Sequence, residues 1–191
     1  MKNIFFTFLI SLIAFAGNAQ IAANTAPNTS LITKVKKAKI NWMTLEEAYA
    51  ATQKEPRKIL VDVYTGWCGW CKVMDQKTFT DEKVAEFVNQ KYYAVKLDAE
   101  MKDTIRIGKQ QYIWENGYNQ AGVALLQGKM SFPTIVYLDE QFNMIQPVAG
   151  YQEAQQFHQI VTFFGDNHYR KGNWEKYQKE IYPQQYSLNN K

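Results

Sequence analysis

The stretch that decides the fold runs Ile59-Leu60-Val61-Asp62-Val63-Tyr64-Thr65-Gly66-Trp67-Cys68-Gly69-Trp70-Cys71-Lys72-Val73-Met74. Residues 59–64 form a short apolar, β-branched run of strand length, Thr65-Gly66-Trp67 breaks it, and the residues from Cys68 onward suit a helix. Strand, turn, Cys-x-x-Cys and helix follow in that order. Cys68 is thereby placed at a helix N-terminus, where unpaired backbone N–H groups and the positive end of the dipole favour a thiolate over a thiol. The thiolate is the nucleophile, so Cys68 is expected to attack. Cys71, one turn later and expected to lie deeper and less open to solvent, is then placed to resolve the mixed disulfide.

These are the only two cysteines of the chain. As a structural staple they would close so short a loop that little entropy leaves the unfolded chain. Zinc needs about four ligands, and the remaining soft candidates, His158 and His168, are distant in sequence and not spaced like a finger. A redox-active dithiol is the leading reading, and neither a metal nor a cofactor is called for.

Working outward, the N-terminus reads as a secretory signal. Lys2 gives a positive start, Ile4 to Ala16 is continuously apolar, and Gly17-Asn18-Ala19 supplies the small residues a signal peptidase recognises. Cleavage after Ala19 and a periplasmic location are expected. The apolar run is shorter than the roughly 20 residues that cross a bilayer, so no stable membrane insertion is expected. Residues 20–39 read as a flexible, lysine-bearing arm. The chain has 191 residues, 46% of them hydrophobic, and its formal charge of +4 comes without a basic block, so a packed core is within reach and nucleic acid is not an implied partner.

The active-site segment resembles that of the thioredoxin superfamily, and with its signal sequence and its Trp-Cys-Gly-Trp-Cys motif the chain is similar to exported thioredoxin-like proteins of the Bacteroidetes. The likeness spans about residues 40–165. It implies that Asp62 is the buried acid of the family, a proton acceptor for Cys71, and that Lys96 in Val95-Lys96-Leu97-Asp98 is the lysine near that acid. Ser131-Phe132-Pro133-Thr134 resembles the cis-proline loop, with Phe132 and Pro133 bordering the substrate. Trp67 and Trp70, in so short a turn, are expected to stay partly exposed and offer flat apolar surface to a client.

The implied architecture is an α/β thioredoxin fold, a central mixed β-sheet flanked by helices, over residues 40–182, with a short tail from 183 to 191. Thr44-Leu45-Glu46-Glu47 is a capping-box pattern opening a first helix, and Thr80-Asp81-Glu82 opens another. An insertion at about residues 100–128 is expected to hold a β-hairpin, Ile105–Ile107 against Gln111–Ile113, and a short helix from Asn119. Phe157, Ile160, Val161 and Phe164 recur at helical spacing, and Trp174, Tyr177 and Ile181 predict an extra C-terminal helix.

The functional expectation is a thiol:disulfide oxidoreductase that reduces disulfide-containing proteins and is recharged by an upstream membrane electron donor. Trp70 lacks the imidazole that could stabilise a Cys68 thiolate, which favours reduction over oxidation. The alternatives are a disulfide oxidase or isomerase, and a binding module with little redox turnover.

Overall fold

The computed structural model describes residues 38–186. The expected signal peptide at 1–19, most of the expected arm, up to residue 37, and the tail at 187–191 lie outside the described residues.

The chain opens with β1 (Trp42–Met43), α1 (Leu45–Thr52), β2 (Lys58–Tyr64), α2 (Gly69–Lys77), α3 (Glu82–Lys91) and β3 (Tyr92–Asp98). An inserted region follows, with β4 (Ile105–Ile107), β5 (Gln110–Tyr112), β6 (Trp114–Glu115), β7 (Tyr118–Asn119) and α4 (Gln120–Leu125). The chain returns to the main sheet through β8 (Thr134–Leu138) and β9 (Met144–Ala149), then forms α5 (Ala154–Gly165). A last helical run comprises α6 (Trp174–Lys176), a π-helical stretch over Tyr177–Ile181 and α7 (Tyr182–Tyr186).

Five strands form one mixed sheet in the order β1-β3-β2-β8-β9. Strands β1, β3 and β2 run parallel, and β8 and β9 are antiparallel to their neighbours. The central strand β2 is apolar on both faces because both are covered. Ile59, Val61 and Val63 pack with α1, α4 and the insertion, whereas Leu60 joins Met74 of α2, Val84 and Val88 of α3, and Phe157 and Val161 of α5. Side chains alternate along a strand, so Asp62 shares the face of Leu60 and points towards α2.

Local chemistry fixes the helix ends. Thr44 and Glu47 close the expected capping box, each side chain bonded to the other's backbone, and the Asp81 carboxylate accepts the Val84 N–H at 3.1 Å. At the far end of β2, Lys58 is also buried, and its ammonium meets Glu140 at 2.5 Å.

Two boundaries differ from expectation. Ala38 packs on the core and the Lys39 carbonyl accepts the Asn89 side-chain amide at 2.7 Å, so residues 38–39 belong to the domain and not to an arm. The tail expected from residue 183 is helical to Tyr186, whose hydroxyl bonds Asp166 and whose ring meets His158 at 5.5 Å. Aromatic packing against α5 holds these residues where local sequence alone suggested a tail.

Candidate active site

Strand β2 stops at Tyr64, and Thr65–Trp67 turns the chain into α2. The Thr65 carbonyl accepts the Cys68 N–H at 3.2 Å and so fixes the turn. Cys68 is the N-cap residue of α2, and its Sγ accepts the Cys71 N–H at 3.1 Å, the place usually taken by a capping oxygen. Cys68 and Cys71 are joined by a disulfide, with their Cα atoms 5.3 Å apart. The expected difference in exposure is absent, because the two residues are 4% and 3% exposed. What separates them is the cap: only the Cys68 sulfur receives the helix N–H.

Asp62 is buried on the α2 face of the sheet, directly across from Lys96 in the parallel register of β2 and β3. The Lys96 ammonium lies 2.7 Å from Asp62 Oδ2 and also bonds the Asp75 carboxylate from α2. It sits over the rings of Tyr64, Trp42 and Phe79 at 4.8, 5.2 and 5.3 Å. Asp62 Oδ1 is buried with no hydrogen-bond partner. Burial is the largest influence on Asp62 and outweighs Lys96, and with the smaller repulsion of Asp75 it raises the pKa from 3.8 to about 6. Burial works against the Lys96 charge, yet the two carboxylates prevail and hold its pKa above the usual lysine value.

The other predicted residues gather at the same end of β2. Val63 pairs with Thr134 across the sheet, so Phe132 and Pro133, just before β8, come level with the turn that carries Cys68. The Phe132–Pro133 peptide bond is cis, and the Pro133 carbonyl accepts the Gly150 N–H at 2.8 Å. Trp67 and Trp70 are 63% and 61% exposed. The Trp67 ring meets Phe132 edge-on at 5.8 Å, and its indole N–H donates to Glu100 at 3.1 Å. Trp70 lies 5.1 Å from Tyr151.

Three contributors carry little or no signal in the sequence around them. Asp75 stands four residues after Cys71, on the same helix face, and that spacing was its only signal. Glu100 carried none. The hairpin β6–β7 is the third: Asn116 and Gly117 have φ of +52° and +93°, the left-handed pair that a two-residue turn requires. An Asn-Gly dipeptide between short strands announces such a turn. The expected hairpin β4–β5 is present as well, turning at Gly108 with φ +59°, but its second strand is Gln110–Tyr112, one residue earlier than expected.

The fold has counterparts among known proteins. The Thioredox_DsbH family, described as a protein of unknown function, DUF255, matches residues 23–190. The "Thiol:disulfide interchange protein DsbD" of Photorhabdus laumondii is 26% identical over 121 residues, 62% of this chain but 18% of its own length. The chain therefore spans less than a fifth of that relative. Among solved structures, the "DsbH Oxidoreductase" superposes with a TM-score of 0.50 at 15% identity, covering 76% of this chain and 92% of that one. A thioredoxin-fold protein from Helicobacter pylori also gives 0.50 at 15% identity, over 67% of this chain and 87% of its own. These structures share the fold, a mixed sheet flanked by helices.

Proposed function

The chain belongs to the Thioredox_DsbH family, and from that premise we propose that it is a periplasmic thiol:disulfide oxidoreductase that reduces disulfide-containing proteins. The observation that carries the reading is Cys68 at the N-cap of α2, its sulfur receiving the Cys71 N–H. In the reduced protein that N–H and the helix dipole favour the Cys68 thiolate.

The thiolate attacks one sulfur of a client disulfide, forms a mixed disulfide and releases the other client sulfur as a thiolate. Cys71 gives its proton to Asp62 and attacks Cys68 Sγ, which frees the second client thiol and leaves the Cys68–Cys71 disulfide. Two electrons pass to the client, and a membrane electron donor returns them to the protein. Asp62 suits the role because a carboxyl with a pKa near 6 is ionised at neutral pH yet still basic enough to hold a proton briefly. Lys96 positions it. The docking surface is formed by Trp67, Trp70, Phe132 and Pro133, where an extended client segment can add beside the cis-proline loop.

Reduction is favoured over oxidation because Trp70 faces Tyr151 and brings no imidazole to the Cys68 thiolate, so the reduced form gains no added stabilisation. Equilibration of the dithiol in a redox buffer tests the direction. A potential near about −270 mV supports a reductase, and one near about −120 mV makes the protein an oxidase. A pair that does not exchange with thiols, in a folded protein that still binds a partner, assigns a binding module instead.

A further inference from the structure

Among the described residues, the large apolar side chains left exposed are Trp67, Trp70, Ile113 and Trp114. The first two flank Cys68. The other two lie in the inserted region, at the start of the hairpin β6–β7. Exposed apolar surface of this size marks a binding face more often than an accident.

The hairpin is continuous with the dithiol site. Tyr118 of β7 places its ring 6.1 Å from Phe132, and Phe132 meets Trp67 at 5.8 Å, so three rings run from the nucleophile's turn to the insertion. The loop after β3 contacts Trp67 and the face of the hairpin opposite Tyr118. Its Glu100 accepts the Trp67 indole N–H, and its Lys102 ammonium lies 5.7 Å over the Trp114 ring.

The hairpin is also held rigidly. The Asn119 N–H donates to the Ala99 carbonyl at 2.7 Å, and the Ala99 N–H donates to the Tyr64 carbonyl at 2.8 Å, one residue before the turn that leads to Cys68. The buried Asn119 side chain donates to the Asp103 carbonyl at 2.9 Å, and the Gln120 N–H donates to the Ile113 carbonyl at 2.9 Å. A surface fixed in this way meets a partner with little ordering cost.

We infer that the hairpin β6–β7 is a specificity wall of the dithiol site, selecting extended client segments that carry apolar side chains close to the reactive cysteine. This rests on the redox reading above. The occupant is an extended chain because the surface continues the cis-proline loop, where a client adds as a strand. Two ring-to-ring steps of this size correspond to about three or four residues of extended chain at ~3.4 Å each, so the selected side chains lie within that distance of the client cysteine.

The test uses the full exported chain, reduced beforehand with the dithiol dithiothreitol and freed of it. The substrates are octapeptides whose single cysteine is joined to thionitrobenzoate, with Leu or Ser at the two to four positions beside it. Cys68 attacks the peptide sulfur and releases thionitrobenzoate. Cys71 then displaces the peptide thiol and closes the Cys68–Cys71 disulfide, so each turnover oxidises one dithiol and reduces one mixed disulfide.

The expected result, read from single-turnover rates against peptide concentration, is half-saturation by the Leu peptide at a concentration about tenfold below that for the Ser peptide, the size of one good apolar anchor. Tyr118→Ala and Ile113→Ala, on the hairpin face that carries Tyr118, should each cut that preference to about threefold or less, through the half-saturating concentration and not the limiting rate, and Tyr118→Phe should restore it. A preference absent from the wild type, or intact in both alanine variants, overturns the inference. So does an equal loss for both peptides, which would make the hairpin a support for the fold. Self-association abolished by Tyr118→Ala would assign the surface to a second copy instead. A wild-type protein that releases thionitrobenzoate from neither peptide nor from the free dithiobis reagent fails the redox reading itself, and that outcome is distinct from a lost preference.

Discussion

Asp62 and Lys96 are direct partners across the parallel strands β2 and β3, and the ammonium lies 2.7 Å from one carboxylate oxygen while the other oxygen stays buried and unpartnered. The pair is therefore close but incomplete. A carboxylate half-satisfied in a buried site costs stability when ionised and holds a proton more readily than a free one.

Asp62→Asn should make the folded protein more stable at neutral pH and slow the enzyme. The folded pKa is raised from 3.8 to about 6, so the stability tied to the proton is fully present below pH 3.8 and lost as pH rises through about 6. At pH 7 the ionised group costs about 3 kcal/mol, which Asn removes. Denaturant unfolding of the oxidised variant should show that gain at pH 7 and almost none at pH 4. In single-turnover assays resolution by Cys71 should slow by about 100-fold or more, with the first attack by Cys68 unchanged.

Asp75 and Lys96 should move the Asp62 titration in opposite directions. The charged and titratable groups that act on Asp62 are Lys96 and Tyr64 from the sheet and Asp75 from α2. Asp75 repels the Asp62 charge and shares its lysine, so Asp75→Asn should lower the Asp62 pKa and carry the pH midpoint of resolution to the acid side. Lys96→Met should raise both. Carboxyl carbon shifts followed by NMR against pH would read the titration directly.

Cys71→Ser and Cys68→Ser should differ sharply in the adducts they trap. The serine variant at 71 keeps the backbone N–H that Cys68 Sγ receives, so attack proceeds while the route that frees the client is gone. Disulfide-linked clients should accumulate and appear on non-reducing gels. Cys68→Ser leaves a thiol without the cap, and few adducts should form. Since the two residues are equally buried, equal trapping would mean that the cap does not direct the chemistry.

Tyr177→Ala should destabilise the domain without touching thiol exchange. Tyr177 is fully buried, its hydroxyl donates to Thr162 of α5 at 2.6 Å, and its ring lies 4.6 Å from His168 and 5.1 Å from Phe163. Truncation of a buried aromatic costs about 3–5 kcal/mol. Thermal unfolding should show a lower Tm, and the folded fraction should keep its exchange rate with a small disulfide.

The parts readable from sequence were those whose signal is local. The apolar run at 59–64, the break at Gly66 and the Cys-x-x-Cys spacing lie within one short segment, and the caps at Thr44 and Asp81 announce helices within a few residues. Lys96 and Pro133 came from a resemblance, because nothing local says that residue 96 faces residue 62. Asp75 and Glu100 were illegible for the same reason: an Asp on a helix surface looks solvated until the sheet brings a lysine to it. The helix beyond residue 182 was missed because its stability comes from aromatic packing on α5 and not from its own residues, which include Pro183. The near-equal burial of the two cysteines could not be anticipated, since it depends on what covers the turn.

The two buried charges of β2 have a consequence for how the chain threads itself. Ile59, Leu60, Val61 and Val63 are apolar on both faces, so they would accept a slip of one residue against β3 and β8 with little loss. Lys58 and Asp62 would not. Each is neutralised by a partner delivered from elsewhere, Glu140 just beyond β8 and Lys96 on β3. A slipped strand turns every side chain to the opposite face and separates both pairs at once. A slip would leave each ion buried with no counter-charge, at several kcal/mol per ion, so mis-threaded sheets are rejected by electrostatics where hydrophobicity is indifferent.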